Sequence, residues 1–303
     1  MDKQPLLSLC IPTNGAVQWI LPVIESIYAQ GYDNEKFEVV ITDNGKDSQL
    51  PEHIAKMSYP NLRYRQTTDE GFLNLVTSLK EGKGMFCKMI NHRCVLLPGS
   101  IEGLVTLIDK YKETQPIIYC SDKRLALKQD VVECENTNAF VNALSFWCSW
   151  SAGIGFWQKD IAHIDEVALN EMFPNASLLF YIRPESSYVI CNTEFYKMGD
   201  DAGKGGYDLF GTFAVTLLDL LTTLRMEGRI MADTFVKVKD ELFIFLRGLY
   251  LNEALLPTKH TFILKNIEQY MDVYYGHRKY KEMICWAKKH YYYANIKKVF
   301  CIK

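Results

Sequence analysis

Leu6-Leu7-Ser8-Leu9-Cys10-Ile11-Pro12-Thr13-Asn14-Gly15 is a β-rich run that stops abruptly in small and polar residues, and Phe37-Glu38-Val39-Val40-Ile41-Thr42-Asp43-Asn44-Gly45 repeats the pattern. Between them, Ala16 to Gln30 is apolar at Ile20, Leu21, Ile24, Ile27 and Tyr28, the spacing of one helical face. Strand, loop, helix, strand and loop in this order predict a right-handed βαβ unit. Both polar loops then fall at the carboxyl ends of neighbouring parallel strands, where open α/β sheets bind ligands.

Working outward, Leu62 to Gln66 reads as a further strand, and Thr68-Asp69-Glu70-Gly71-Phe72-Leu73-Asn74 opens a helix that ends near Gly82-Lys83-Gly84. Asparagine and glycine are ordinary turn formers, so the loops alone also fit an unrelated doubly wound domain. The two motifs and their separation, however, resemble the nucleotide-sugar half of GT-A-fold glycosyltransferases of family 2. There one strand ends in Pro-Thr-x-Asn and a second in Asp-Asn-Gly. The resemblance implies an α/β, GT-A-like and Rossmann-related domain with a mixed, mainly parallel sheet over residues 1–200, followed by a helical carboxyl-terminal extension over 201–303. Residues 1–100 would form its nucleotide-sugar half and 101–200 its acceptor half. It further implies a donor pocket shaped by Pro12, Thr13, Asn14, Asp43, Asn44 and Gly71, with Asp43 reading the base and a UDP-sugar as the first expectation.

The pattern breaks at one place. After the strand Met85 to Ile90 the family carries an acidic Asp-x-Asp cluster, and Leu96-Leu97-Pro98-Gly99 follows here as it should, yet Asn91-His92-Arg93 stands between. The carboxylates that would hold Mg²⁺ or Mn²⁺ against a diphosphate are missing, and hard cations want oxygen ligands. Asn91 and His92 offer one ligand each while Arg93 repels a cation, so a divalent metal is disfavoured. Three readings stand: Arg93 replaces the metal by forking onto phosphate oxygens, the site has lost catalysis and only binds, or Arg93 pairs with a carboxylate such as Glu102.

The resemblance also places an acceptor side. Trp147-Cys148-Ser149-Trp150-Ser151-Ala152-Gly153-Ile154-Gly155-Phe156-Trp157 sets aromatic faces among small residues, a composition suited to stacking on sugar rings and equally to core packing. Phe173-Pro174-Asn175 resembles the Phe-Pro-His helix start of some capsule and O-antigen transferases, but Asn175 cannot act as a base. An inverting transferase needs a base for the acceptor hydroxyl. The resemblance puts an acidic residue near this helix entrance, which makes Glu171 the first candidate, then Asp165 and Glu166. Asp200 and Asp201 lie further off, in the glycine-rich Gly199–Gly211 stretch. That stretch lacks P-loop spacing and reads as a linker or as a lid over the donor.

Composition excludes little but usefully. A chain of 303 residues with 48% hydrophobic content builds a real core, and a formal net charge of −2 does not suit a nucleic-acid binder. Nine cysteines without a C-x-x-C pair, several inside apolar strands, fit a reduced cytoplasmic protein. No signal segment opens the chain, and Phe213 to Leu224 is too short to span a bilayer. Helical spacing marks 205–227, 229–253 and 280–298. The tail interleaves Lys and Arg with Tyr274, Tyr275, Trp286 and Tyr291 to Tyr293. That composition suits the inner face of a membrane, a homo-oligomer contact or a solvated helix. The expected activity is transfer from a nucleotide-sugar to a glycan or lipid-linked saccharide in bacterial surface-polysaccharide synthesis. The rival expectation is an inactive GT-A-like module that binds glycans or scaffolds a partner.

Overall fold

The computed structural model describes residues 4–46 and 48–299, which divide into two compact units. The first comprises Met1–Phe140 and Trp147–Asp200, and the second Val141–Phe146 and Asp201–Lys303. The six residues 141–146 thus fall with the second unit, inside a stretch that the sequence assigns to the first.

The first unit is built on an eight-stranded sheet: β1 (Leu7–Thr13), β2 (Phe37–Asp43), β3 (Leu62–Gln66), β4 (Phe86–Met89), β6 (Ile117–Cys120), β7 (Val131–Cys134), β8 (Ile154–Trp157) and β9 (Tyr188–Cys191). Their spatial order is β3-β2-β1-β4-β8-β6-β9-β7. β3, β2, β1 and β4 run parallel, as do β6 and β9, while β8 and β7 are antiparallel to their neighbours. Because β8 opposes both β4 and β6, those two strands share a direction, and the carboxyl ends of β1, β2, β4, β6 and β9 meet at one edge. β1 and β2 are buried almost throughout, which is why they read as continuous apolar runs rather than alternating ones. Helices Val17–Tyr28 and Ser100–Tyr111 bury Ile20, Val23, Ile24, Ile27, Leu104 and Ile108 in the same core cluster as Leu7, Leu9, Val39 and Ile41. A short pair of β5 (Cys94–Leu96) and β10 (Tyr196–Met198), antiparallel, lies beyond β4. The α/β architecture with a mixed, mainly parallel sheet is that of the GT-A fold.

The second unit is mainly helical: Leu217–Met226, Ala232–Leu249, Ile267–Tyr274 and Gly276–Val299, with π-helical turns at Gly211–Thr216 and Tyr250–Leu255. Its core includes Phe210, Leu217, Leu221, Val238, Leu242 and Met271. The helix expected over 205–227 does not begin at 205. Gly205 and Gly206 hold φ of 138° and 81°, and Gly205–Asp208 forms β11, paired in parallel with β12 (Thr261–Ile263). Both glycines sit in backbone regions foreign to a right-handed helix. Part of the glycine-rich stretch is therefore sheet, further fastened by Gly203 N–H to Lys259 O (2.9 Å) and by His260, whose ring nitrogens each lie 3.0 Å from a carboxylate, of Glu253 and Asp201. Among the described residues no helix is long and apolar enough to cross a membrane.

Candidate functional site

The strand order reverses between β1 and β4, and the loops after these strands flank the resulting crevice, the usual ligand position in open α/β sheets. The sequence makes this edge by ending β1 in Thr13-Asn14-Gly15 and β2 in Asp43-Asn44-Gly45. Gly15 turns the chain at φ 79° and donates its N–H to Thr13 Oγ1 (3.2 Å), and Asn44 N–H reaches Thr13 O (3.0 Å). The two loops come so close that a Cβ on Gly45 would stand 2.3 Å from Asn14 O. Only glycine permits that approach. Pro12 is half-buried at the end of β1, and Asn14 is exposed.

Asn74, at the start of helix Asn74–Glu81, fastens the loops from below. Its buried amide donates to Thr13 O (3.1 Å) and Thr42 O (2.9 Å), and its Oδ1 accepts from Thr67 Oγ1 (3.1 Å). Asn44 Nδ2 reaches Asp69 O (3.0 Å) and Gly71 O (3.2 Å), which holds the Gly71 turn at φ 52°. Asp43 is fully buried. Its Oδ1 accepts from Gly45 N–H (2.8 Å), and its Oδ2 lies 2.9 Å from the Tyr64 hydroxyl, which shares its one proton with Gln66 Oε1 at 2.7 Å. Burial, and then the Asp43 carboxylate, push the Tyr64 phenol well above its ordinary range. Asp69 Oδ2, by contrast, is enclosed without a hydrogen-bond partner among the described residues.

Across the crevice, Asn91 Oδ1 accepts the Arg93 N–H (2.9 Å), and His92 Nδ1 is 2.8 Å from Thr13 Oγ1. His92 therefore ties the loop after β4 to the loop after β1. Desolvation, with Arg93 adding repulsion, lowers its pKa to about 4, so it is neutral at pH 7. The Arg93 guanidinium is buried, stacked 3.1 Å from the centre of the Trp19 ring, and donates to Asp200 O (3.0 Å); Gly199 N–H in turn bonds Arg93 O (2.7 Å). This donor set does not fit a divalent cation: one amide oxygen already engaged, one neutral imidazole and an adjacent guanidinium. Among the described residues no group of three or more His, Cys, Asp or Glu could hold a metal.

The carboxylates expected to serve as base lie elsewhere in the first unit. Glu171 is exposed in the turn before helix Pro174–Tyr181, whose entry Asn170 fixes by accepting Met172 and Phe173 N–H (both 3.0 Å). Asp165 contacts Lys80, and Glu166 lies 2.9 Å from His163 Nδ1. Asn175 is buried with its amide on Cys148 O (2.8 Å), a packing role. Of the tryptophans, Trp157 belongs to the core, its indole N–H on Pro116 O (2.7 Å), while Trp147 and Trp150 flank the Arg124 guanidinium at 5.4 and 4.4 Å.

Thus the structure joins Thr13, Asp43, Asn44, Gly71, His92 and Arg93 with Asn74, Tyr64 and Trp19 in one loop system. Reading the sequence missed Tyr64 and Trp19 as members. Strand alternation puts Tyr64 on one face of β3, but its neighbour there depends on the β2–β3 register. Trp19 meets Arg93 from 74 residues away, which no local pattern signals.

Residues 8–137 match the model of glycosyl transferase family 2. An uncharacterized glycosyltransferase of Rickettsia felis is 28% identical over 116 residues, 38% of this chain and 19% of that protein. One of Rickettsia prowazekii is 26% identical over 131 residues, 43% of this chain and 40% of its own length. The chain thus covers about a fifth to two fifths of these relatives. Among solved structures, S. aureus TarS 1-349 in complex with UDP-GlcNAc superposes with a TM-score of 0.59 at 14% identity, covering 82% of this chain and 76% of that one. The mannosyltransferase PcManGT from Pyrobaculum calidifontis, in complex with GDP-Man and Mn²⁺, gives 0.54 at 14% identity over 99% and 89%. At such identities the structural likeness shows the fold, and the sequence match is a similarity confined to residues 8–137. Over residues 8–137 this chain is thus similar to glycosyl transferase family 2, and its fold is of the GT-A kind.

Proposed function

We propose that this protein is an inverting glycosyltransferase that moves a sugar from a nucleotide-sugar, a UDP-sugar in the first instance, to a glycan or lipid-linked saccharide in bacterial surface-polysaccharide assembly. The observation that carries the reading is the loop system at the switch point, where Asn74 binds the carbonyls of Thr13 and Thr42 and so presets the family's two nucleotide loops. In this reading residues 1–100 hold the donor, 101–200 the acceptor, and 201–303 an accessory helical region. Pro12, Thr13, Asn14, Asp43, Asn44 and Gly71 shape the nucleotide pocket, and Asn91, His92 and Arg93 face the diphosphate. The acceptor oxygen attacks the anomeric carbon opposite the phosphate. The new C–O bond forms as the bond to phosphate breaks, the electron pair leaves with the nucleoside diphosphate, and the hydroxyl proton goes to Glu171, with Asp165 or Glu166 as substitutes.

A second reading, a GT-A module that binds without turnover, draws on Arg93, whose guanidinium is stacked on Trp19 and bonded to Asp200 O. A nucleotide-sugar screen with and without EDTA separates the two. Transfer or donor hydrolysis that survives chelation, and that Arg93→Ala damages more than EDTA does, supports the transferase. Nucleotide binding without turnover under either condition selects the binding module. In this reading the tail meets the inner membrane face, or a second copy of the helix, through Lys288, Lys289, Tyr292 and Tyr293, all exposed on helix Gly276–Val299. Sedimentation with anionic vesicles tests that, against self-association of the same helix.

A further inference from the structure

At the same sheet edge as the nucleotide loops, but beyond β6 and β9, lies a cavity of about 470 Å³ that no family motif marks. This volume is in the range of small-ligand sites. Its floor includes β10, the antiparallel partner of the strand that directly follows Arg93. Its wall is a constrained turn: Asp122 and Lys123 both have positive φ (54° and 56°), and the buried Asp122 Oδ1 holds the turn by accepting Phe195 N–H (2.7 Å) and Tyr196 N–H (3.0 Å). Two successive non-glycine residues in that conformation persist only where the surroundings impose it.

The polar groups lining the cavity differ in how far the protein already uses them. Asp122 is spent on backbone N–H groups and lies 3.9 Å from Arg124 Nη2, and Lys123 contacts Asp130. Arg124 is packed against Trp147 and Trp150, which fixes the plane of its fork while a quarter of the side chain stays exposed. The Lys197 and Glu194 side chains are exposed and have no hydrogen bond or ion pair among the described residues. The cavity thus presents a packed guanidinium, an ammonium and a carboxylate without partners among the described residues, and an indole.

We propose that this cavity is the acceptor subsite and that it takes a saccharide bearing an anionic group, phosphate or carboxylate. The anion meets Arg124 and Lys197, the sugar hydroxyls meet Glu194, and the ring rests against Trp147. The assignment of the ligand as acceptor rests on the transferase reading. A planar fork held by aromatic rings suits a phosphate or carboxylate in a way that a neutral hydroxyl does not exploit.

The test uses the full chain and four probes: glucose 6-phosphate, glucuronic acid, methyl glucoside and inorganic phosphate. The readout is the Trp147 indole NMR signal, assigned by its loss in Trp147→Phe, with UDP affinity measured separately. The two anionic sugars are expected to shift the Trp147 signal, the tighter of them naming the anion, while methyl glucoside leaves it unmoved. Arg124→Gln and the surface variant Lys197→Gln should each weaken the anionic sugars about tenfold or more, with UDP affinity unchanged. Methyl glucoside binding as tightly as the anionic sugars, or no shift with either of them, would overturn the proposal. Inorganic phosphate binding as tightly as glucose 6-phosphate would remove the saccharide from it. A chain that binds these sugars but not UDP would defeat the transferase reading instead, and leave the anionic-sugar site standing.

Discussion

The two sides of the ligand edge are built differently. On the side proposed for the nucleotide, after β1, β2 and β4, the central polar side chains of the loops are engaged internally: Asn74 on two carbonyls, Asp43 on Gly45 and Tyr64, His92 on Thr13. On the other side, after β6 and β9, the Glu194 and Lys197 side chains line an open cavity without a partner among the described residues. The first arrangement presents a ligand chiefly with preset backbone, which demands fixed residue types and so writes a motif. The second presents individual side chains, each replaceable without disturbing the fold, and leaves no motif. A shared donor and a particular acceptor would produce this asymmetry.

The largest effect expected is on chemistry, and it tests whether the turn before helix Pro174–Tyr181 serves the same reaction as the two sets of loops. Glu171→Gln should lower turnover by roughly two to four orders of magnitude while sparing donor affinity. Equal loss in Asp165→Asn, with none in Glu171→Gln, moves the role to Asp165. On the nucleotide side the corresponding damage is to structure. Asn74→Ala removes a hydrogen bond from each of Thr13 O, Thr42 O and the Thr67 hydroxyl and should cost on the order of 3 kcal/mol of stability by urea unfolding, with UDP affinity falling in the same variant. Unchanged stability would mean that the loops are held by something other than this amide.

Asp43→Ala tests whether a carboxylate with both oxygens engaged still serves a ligand. Base recognition by Asp43 should cost roughly 1.5–3 kcal/mol of nucleotide affinity on its removal, measured by calorimetry against UDP, GDP, CDP and TDP. An undiminished affinity in Asp43→Ala with a loss in Asp69→Asn would transfer the reading of the base to Asp69, whose Oδ2 has no partner among the described residues.

The last effect is a pH dependence. The His92 pKa is about 4 in the fold against an ordinary value near 6.5. The unfolded chain therefore binds a proton that the folded one refuses throughout that interval, so stability falls as pH drops from about 6.5 to 4, by up to about 1.4 kcal/mol per pH unit, and levels off below. His92→Gln should flatten that slope in unfolding curves taken across the window. An unchanged slope would assign the acid sensitivity to other groups.

Much of the nucleotide side was legible in the sequence because its constraints are local. A buried parallel strand must be continuously apolar, a chain turning sharply at its end needs small residues, and Gly45 must be glycine because of the Asn14 carbonyl beside it. The βαβ order, the loops at one edge and the oddity of Asn91-His92-Arg93 all follow from short stretches of chain. Other features depended on register and long-range packing, which no local pattern encodes. Trp19 stacks on Arg93 across 74 residues, and Tyr64 meets Asp43 only through the pairing of β2 with β3. Gly205 to Asp208 became a strand because β12, more than 50 residues on, offered a ladder. The cavity beside Arg124 draws its walls from three separate segments: 122–124, Trp147 and 194–198. Sequence alone determined the motif-bearing half, since backbone geometry there dictates residue type. Tertiary structure alone decided which side chains meet, since contacts between distant segments restrict composition too weakly to be read.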